Sequence, residues 1–310
     1  VPAAGVADAH SRPLPGGGRR ASGRGRADRG DLGTTGGAGA DGGPCFARPV
    51  PPGGYAWWYV DALSDDRQFG LTIIVFVGSV FSPYYAWARR GGRRADPQDH
   101  CAFNIALYGA RGARWAMTER GARSLARDDD ALAIGRSSIS YDGDALLLRL
   151  DEICAPLPRR LRGSARIRFP GLETSAYTLD AAGLHVWRPL APRARIEVEL
   201  ASPDLRWSGE CYVDCNHGAR PLEDDFTSWN WSRAHLRTGS AIVYEARRRD
   251  GETTLLALRH GAGGVETFAP PPLTTLERTR WRLNGATRAD AGSTPKLLQR
   301  LEDAPFYARS

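Results

Sequence analysis

Two Asp-Gly turns constrain this chain more than any other feature. SISYDGDALLLRLDEI and SAIVYEARRRDGETTLLALRHG each set an Asp-Gly pair between two strand-like runs, the short-range signature of a β-hairpin. GGYAWWYVDAL, LTIIVFVGSVF, ARIRF, ARIEVEL and TRWRLNG read as further strands, and almost no stretch carries a helical period. Many short strands with hairpin turns predict an all-β sandwich or barrel architecture. At 310 residues the length suggests two domains. Residues 1–44 are mostly Gly, Ala, Arg and Asp without apolar periodicity, which predicts a disordered leader.

The remaining chain is rich enough in apolar residues to bury a core, with 42% hydrophobic residues and nine tryptophans overall. The formal charge of +7 is carried almost wholly by arginine, Lys296 being the single lysine. These arginines are scattered and form no basic helix, zinc finger or RNA-binding signature, which argues against a nucleic-acid partner. A basic surface is also attracted to anionic lipid, so peripheral membrane attachment stays open. The apolar run within Leu71–Ala88 is broken by Gly78, Ser79, Ser82 and Pro83, too early for a spanning helix. It reads as a buried strand leading into an aromatic turn, SPYYAWA. Five cysteines and no signal-peptide pattern point to reduced thiols in the cytosol.

Chemistry concentrates in CYVDCNHGARPLEDDFTSWNWSRA, which mixes carboxylates with indoles. A solvated loop rarely holds Trp229 and Trp231, and a core strand rarely holds acids, whereas an apolar pocket with a few polar groups accommodates both. On an extended segment Tyr212 and Asp214 share a face, as do His185 and Trp187 in LHVWRPL and Trp229 and Trp231 in SWNWS. By pattern alone, Asp214 is either a pocket acid or an aspartate closing a strand-to-turn junction. Trp229 and Trp231 either line a channel or pack a core. Glu223, Asp224 and Asp225, like Asp61, Asp65 and Asp66, are equally open between site and solvated turn. Cys211, Cys215 and His217 form a C-x3-C-x-H cluster, but no second pair at metal-ligand spacing occurs, and no metal is expected.

GGYAWWYVDALSDD, LTIIVFVGSVFSPYYAWARR, HCAFNIALYG, RWAMTERG, PLPRRLRG, LHVWRPLAPRARIEVEL and YVDCNHGARPLEDDFTSWNWSRA, in this order, resemble the carotenoid 1,2-hydratases, or hydroxyneurosporene synthases. The resemblance covers residues 50 to 310. It implies two lipocalin-like antiparallel β-barrel domains in tandem, expected at residues 45–203 and 204–310, with a further C-terminal segment beyond PFYARS. The implied activity adds water to the terminal double bond of acyclic carotenoids such as neurosporene and lycopene, with no metal or organic cofactor.

Hydrating such an alkene requires a carboxylic acid kept protonated, an electron-rich wall for a tertiary carbocation, and a group that positions water. The resemblance assigns the acid–base role to Asp214 with Tyr212 beside it. It makes Trp187 a cation-facing indole and His185 a polar or proton-sharing partner, and Trp229 and Trp231 are candidates for the polyene channel. A substrate this apolar implies work at a membrane surface on the cytoplasmic side, with Arg89, Arg90, Arg93 and Arg94 as candidate headgroup contacts. The rival reading is a non-catalytic lipocalin-like carrier of carotenoid or lipid. A buried acid separates the two, because a carrier would bear its desolvation cost without benefit.

Overall fold

The computed structural model describes residues 4–8, 43–91, 95–109, 113–297, 300, 302–304 and 307–309. Burial alternates in strands that keep one face to solvent, such as Ala145–Ile153, and is nearly continuous in those covered on both faces. β1 (Tyr55–Ser64), β2 (Phe69–Val77) and β3 (Cys101–Gly109) are joined as antiparallel neighbours, with Tyr59 opposite Ile74 and Ile74 opposite Asn104. A long hairpin, β4 (His185–Ser202) and β5 (Asp204–Gly218), adds to β1 through β5. The sheet runs Arg114–Met117, β3, β2, β1, β5, β4, Arg160–Arg168, Ala145–Ile153, Ser137–Tyr141, Ala131–Ile134 and Leu125–Arg127, with Tyr177–Thr178 also paired to β4. It curls on itself, and an isolated bridge between Trp115 and Ala155 brings one edge back toward Ala145–Ile153.

A second antiparallel sheet contains β6 (Phe226–Leu236), β7 (Gly239–Arg248) and β8 (Thr253–Gly261), extended by Gly264–Thr267 on one side. On the other side Ala4–Asp8 pairs with β6, followed by Tyr307–Arg309 and Glu302–Ala304. The fold is thus all-β and lipocalin-like, as expected.

Four expectations need correction or bounding. The change of sheet comes after Gly218, not at residue 203, because β5 pairs with β4 on one side and β1 on the other and so belongs to the first sheet. SPYYAWA is not a turn: Pro83–Arg90 forms helix α1, with Pro83 in its first turn and the Ser82 hydroxyl accepting from the Tyr85 N–H as N-cap. TRWRLNG is not itself a strand: only its last residue, Gly285, enters one, and Arg280 and Trp281 make a turn between Leu273–Leu276 and Gly285–Arg288. Of the leader, Ala4–Asp8 is a strand, since an open sheet edge can recruit backbone without any apolar pattern. The rest of it up to residue 42 lies outside the described residues, as do Arg93 and Arg94.

Two cores result. Inside the curl of the first sheet lie Val60, Ile73, Ile105, Leu148, Ile196, Val213 and their neighbours. Between the sheets lie Tyr55, Tyr59, Phe76, Trp187, Tyr212, Trp231, Ile242 and Tyr244. Burial along β5 records the change: residues 204–210 largely alternate between exposed and buried, while Cys211–Asn216 are buried without interruption. There the second sheet covers the outer face of the first.

Candidate active site

Parity along β5 selects the site. Tyr212, Asp214 and Asn216 face the second sheet, opposite Asp61, Tyr59 and Trp57 of β1. A cleft between the sheets, with about 530 Å³ of empty space including its open mouth, is lined by Trp57, Phe76, Asp214, Asn216, Trp229, Trp231 and Tyr244 among others. Asp214 therefore sits in the seam between the sheets.

Asp214 is 3% exposed. Tyr212 Oη donates to its Oδ2 at 2.8 Å, and Trp187 Nε1 donates to the same oxygen at 3.0 Å. Asn216 Nδ2 donates to Oδ1 at 3.3 Å. Burial pushes the acid up from 3.8 to about 7, against the two donors, which favour the carboxylate; the Asp61 charge adds a smaller upward push. Near neutral pH the group is thus poised to give and take a proton. Burial likewise pushes Tyr212 and Tyr244 well above the ordinary phenol range, so both hydroxyls stay protonated.

Trp187 takes a different part from the one expected. Its ring is fully buried between Tyr177 and Tyr244, at 5.5 and 5.3 Å between centroids, and its N–H holds Asp214 from behind. Tyr212 likewise supports the acid, with Arg233 over its ring at 5.3 Å. The indoles that do reach the cleft are Trp57, Trp229 and Trp231. Trp231 packs against Tyr59 and Tyr212 at 5.5 and 5.2 Å.

His185 shares its strand face with Trp187 but belongs to a neighbouring cluster. Its Nδ1 pairs with Tyr55 Oη at 2.8 Å and its Nε2 with Asp225 Oδ2 at 2.7 Å. Gly218, directly opposite on β5, makes room: a Cβ there would lie 2.4 Å from Tyr55 and 2.7 Å from His185. Arg220 and then His185 hold the Asp225 carboxyl below the usual carboxylate range. Tyr55 stacks on Trp57 at 4.9 Å, which connects this cluster to the cleft wall.

The other carboxylates separate cleanly. Asp61 pairs with the buried Arg233 at 2.8 Å, Asp65 with Arg195 at 2.7 Å, and Asp66 closes a turn through Ser64 and Gln68. Glu223 binds Arg89 at 2.5 Å, and Asp224 is exposed.

Cys211 and Cys215 lie four residues apart on one strand, about 13 Å by strand rise, so they do not share a metal. Burial lowers His217, beside them, to about 4, with nearby arginines adding to the effect. Asp180, His185 and Asp225 do bring ligand atoms together, within 4.8 Å of one another. These atoms already have protein partners: Asp180 accepts from the Leu184 N–H, His185 Nδ1 pairs with Tyr55, and Asp225 is shared by His185 Nε2 and Arg220.

Sequence reasoning missed Trp57, Tyr59, Asn216, Tyr244, Tyr307 and Arg309. Extending the period-two reading from Tyr212 and Asp214 reaches Asn216, and the ring alternation in YAWWY marks Trp57 and Tyr59. The others arrive from distant strands with no local signal.

The family model described as Carotenoid hydratase CrtC matches residues 73–310. The acyclic carotenoid 1,2-hydratase of Thiocapsa roseopersicina is 49% identical over 310 residues, covering 99% of this chain and 76% of that protein. The protein of the same name from Rubrivivax gelatinosus is 50% identical over 274 residues, covering 87% and 67%. A crystal structure titled CghA shares the fold at a TM-score of 0.51 and 14% identity, covering 69% of this chain and 59% of that one. On this match and these identities the chain belongs to the carotenoid hydratase family.

Proposed function

We propose that this chain adds water to the terminal 1,2 double bond of acyclic carotenoids, with Asp214 as the proton donor and without a cofactor. The observation that carries the reading is a carboxyl buried among aromatic rings, on the wall of a cleft, with its proton affinity raised to about 7. Protonation of the alkene leaves a tertiary cation, which the faces of Trp57, Trp229 and Trp231 stabilise by roughly 0.5–2 kcal/mol each. Tyr212 and Trp187 orient the acid, and the His185 cluster braces the Tyr55–Trp57 stack. A carrier would gain nothing from a buried acid and would bear its desolvation cost.

Incubation with neurosporene or lycopene in oxygen-labelled water, followed by mass analysis, tests the activity. Asp214→Asn is expected to lower turnover about 100- to 10,000-fold while carotenoid binding survives. Near-normal turnover in that variant would remove Asp214 as the acid.

The same reading places the chain peripherally on the cytoplasmic face of a membrane that holds the substrate. Of the two arginines named for headgroup contact that lie among the described residues, Arg89 is engaged by Glu223 and Tyr85, and Arg90 stands at the end of α1. Tyr84 and Trp87, 69% and 76% exposed, share the outer side of α1, and Val80 and Phe81 just before the helix line the cleft. Aromatic rings beside a basic residue suit a lipid interface. Vesicle flotation that is indifferent to Trp87→Ser, to salt and to anionic lipid would refute this placement.

A further inference from the structure

Three neighbouring polar side chains meet the cleft around the acid: Asp214, Asn216 and Tyr244. Tyr212 and Trp187 both donate to Oδ2 of Asp214. A carboxylic acid accepts through its carbonyl oxygen and donates from its hydroxyl, so two donors on Oδ2 leave Oδ1 as the proton-bearing atom. Asn216 faces Oδ1 at 3.3 Å, and the Tyr244 hydroxyl donates to Asn216 Oδ1, also at 3.3 Å.

Both contacts are slack beside the usual values of about 2.9 Å for N–H···O and about 2.7 Å for O–H···O. Asn216 is 4% exposed, and its amide has a second N–H and a second lone pair beyond these two bonds. The Tyr244 oxygen keeps lone pairs of its own, and its burial holds it neutral. The pair therefore offers one donor and several acceptor positions beside the oxygen that carries the proton. That is the partner set a buried water requires.

We infer that Asn216 and Tyr244 hold the water that adds to the cation; the inference rests on the hydratase reading above. The proton on Oδ1 leaves to form the new C–H bond at C2 with the alkene's π pair. A lone pair of the held water then forms the C–O bond at C1, and the oxonium returns one proton to Asp214. One water is consumed, the acid is regenerated, and nothing is oxidised. Neither Asn216 nor Tyr244 changes its net protonation; both are positioning residues.

A cation with no water in place has another exit, which is to lose a proton and revert to the alkene. Reaction in deuterium oxide separates the two fates, because a cation that loses the original C2 hydrogen or a methyl hydrogen, rather than the deuteron just added, leaves deuterium at C2 of an unhydrated polyene. The native chain is expected to give mainly hydrated product. Tyr244→Phe, which keeps the ring against Trp187, is expected to raise the ratio of exchanged substrate to hydrated product at least tenfold, with little change in KM. Asn216→Leu should move the ratio in the same direction.

The ratio is internal to each sample and so does not depend on how much of a variant folds. Unchanged ratios in both variants would overturn the inference while leaving the hydratase reading intact. A native chain that gives neither hydration nor exchange would overturn the hydratase reading and this inference with it.

Discussion

Cys211, Val213 and Cys215 point into one core of this protein, and Tyr212, Asp214 and Asn216, their neighbours in the chain, point into the other. The first core packs Val213 with Val60, Ile73 and Leu190, side chains that need only removal from water, at about 25 cal/mol per Å² buried. The second holds Tyr55, Tyr59, Tyr212, Tyr244 and Trp187, and the acid within it is matched by three donors. Covering the outer face of the first sheet with a second one creates a dry space where a carboxyl can be kept protonated. A single step along β5 therefore separates a residue that stabilises the fold from one that sacrifices stability for chemistry.

Moving the acid by one residue should break the molecule. Val213→Asp places a carboxyl in the aliphatic core without donors, and the expected loss is roughly 3–5 kcal/mol, enough to unfold a marginal domain. Urea denaturation checks this, and an unchanged midpoint would mean that the two cores are not distinct.

Removing the acid from its native place should do the opposite. The folded pKa of Asp214 lies above the ordinary 3.8, at about 7, so the folded chain holds its proton more tightly than the unfolded chain does. Stability contributed by the neutral acid is complete below about pH 4 and declines as pH rises toward 7, after which it is flat. The loss is roughly 4 kcal/mol as an upper bound. Asp214→Asn should therefore be more stable than the native chain at pH 8, with the gap closing by pH 4. A gap that stays constant with pH would exclude titration of Asp214 as its source.

How far this contrast could be read in advance depended on range. The hairpins around Asp142-Gly143 and Asp250-Gly251, and the facing of Tyr212 with Asp214, follow from local turn chemistry and period two, and both are present. The part played by Trp187 was not legible. Its strand face was right, but whether an indole presents its π face or its N–H depends on Asp214 lying across the hairpin from it. Tyr244 comes from the second sheet, and nothing near it in sequence signals a contact with Asn216, 28 residues earlier. Pro83–Arg90 is a helix where an aromatic turn was expected, because Ser-Pro signals a turn and a helix start alike, and here the Ser82 cap and Pro83 in the first turn open a helix.

Trp187→Phe gives the smallest of these effects and separates packing from chemistry inside the second core. A phenyl ring still fills most of the space between Tyr177 and Tyr244, so the stability loss should be roughly 1–2 kcal/mol, below the 3–5 typical of truncating a buried ring to alanine. The chemical change is the loss of one donor to Oδ2. That hydrogen bond favours the ionised carboxylate and pulls against burial, so without it the acid should hold its proton to a higher pH. The alkaline limb of the activity profile, set where Asp214 ionises, should therefore move upward. The plateau rate at lower pH should fall about tenfold, because Tyr212 is then the one donor left on Oδ2 to orient the carboxyl. A plateau loss with an unmoved limb would make Trp187 a packing residue only, and a limb moving to lower pH would contradict the hydrogen bond as the controlling contact.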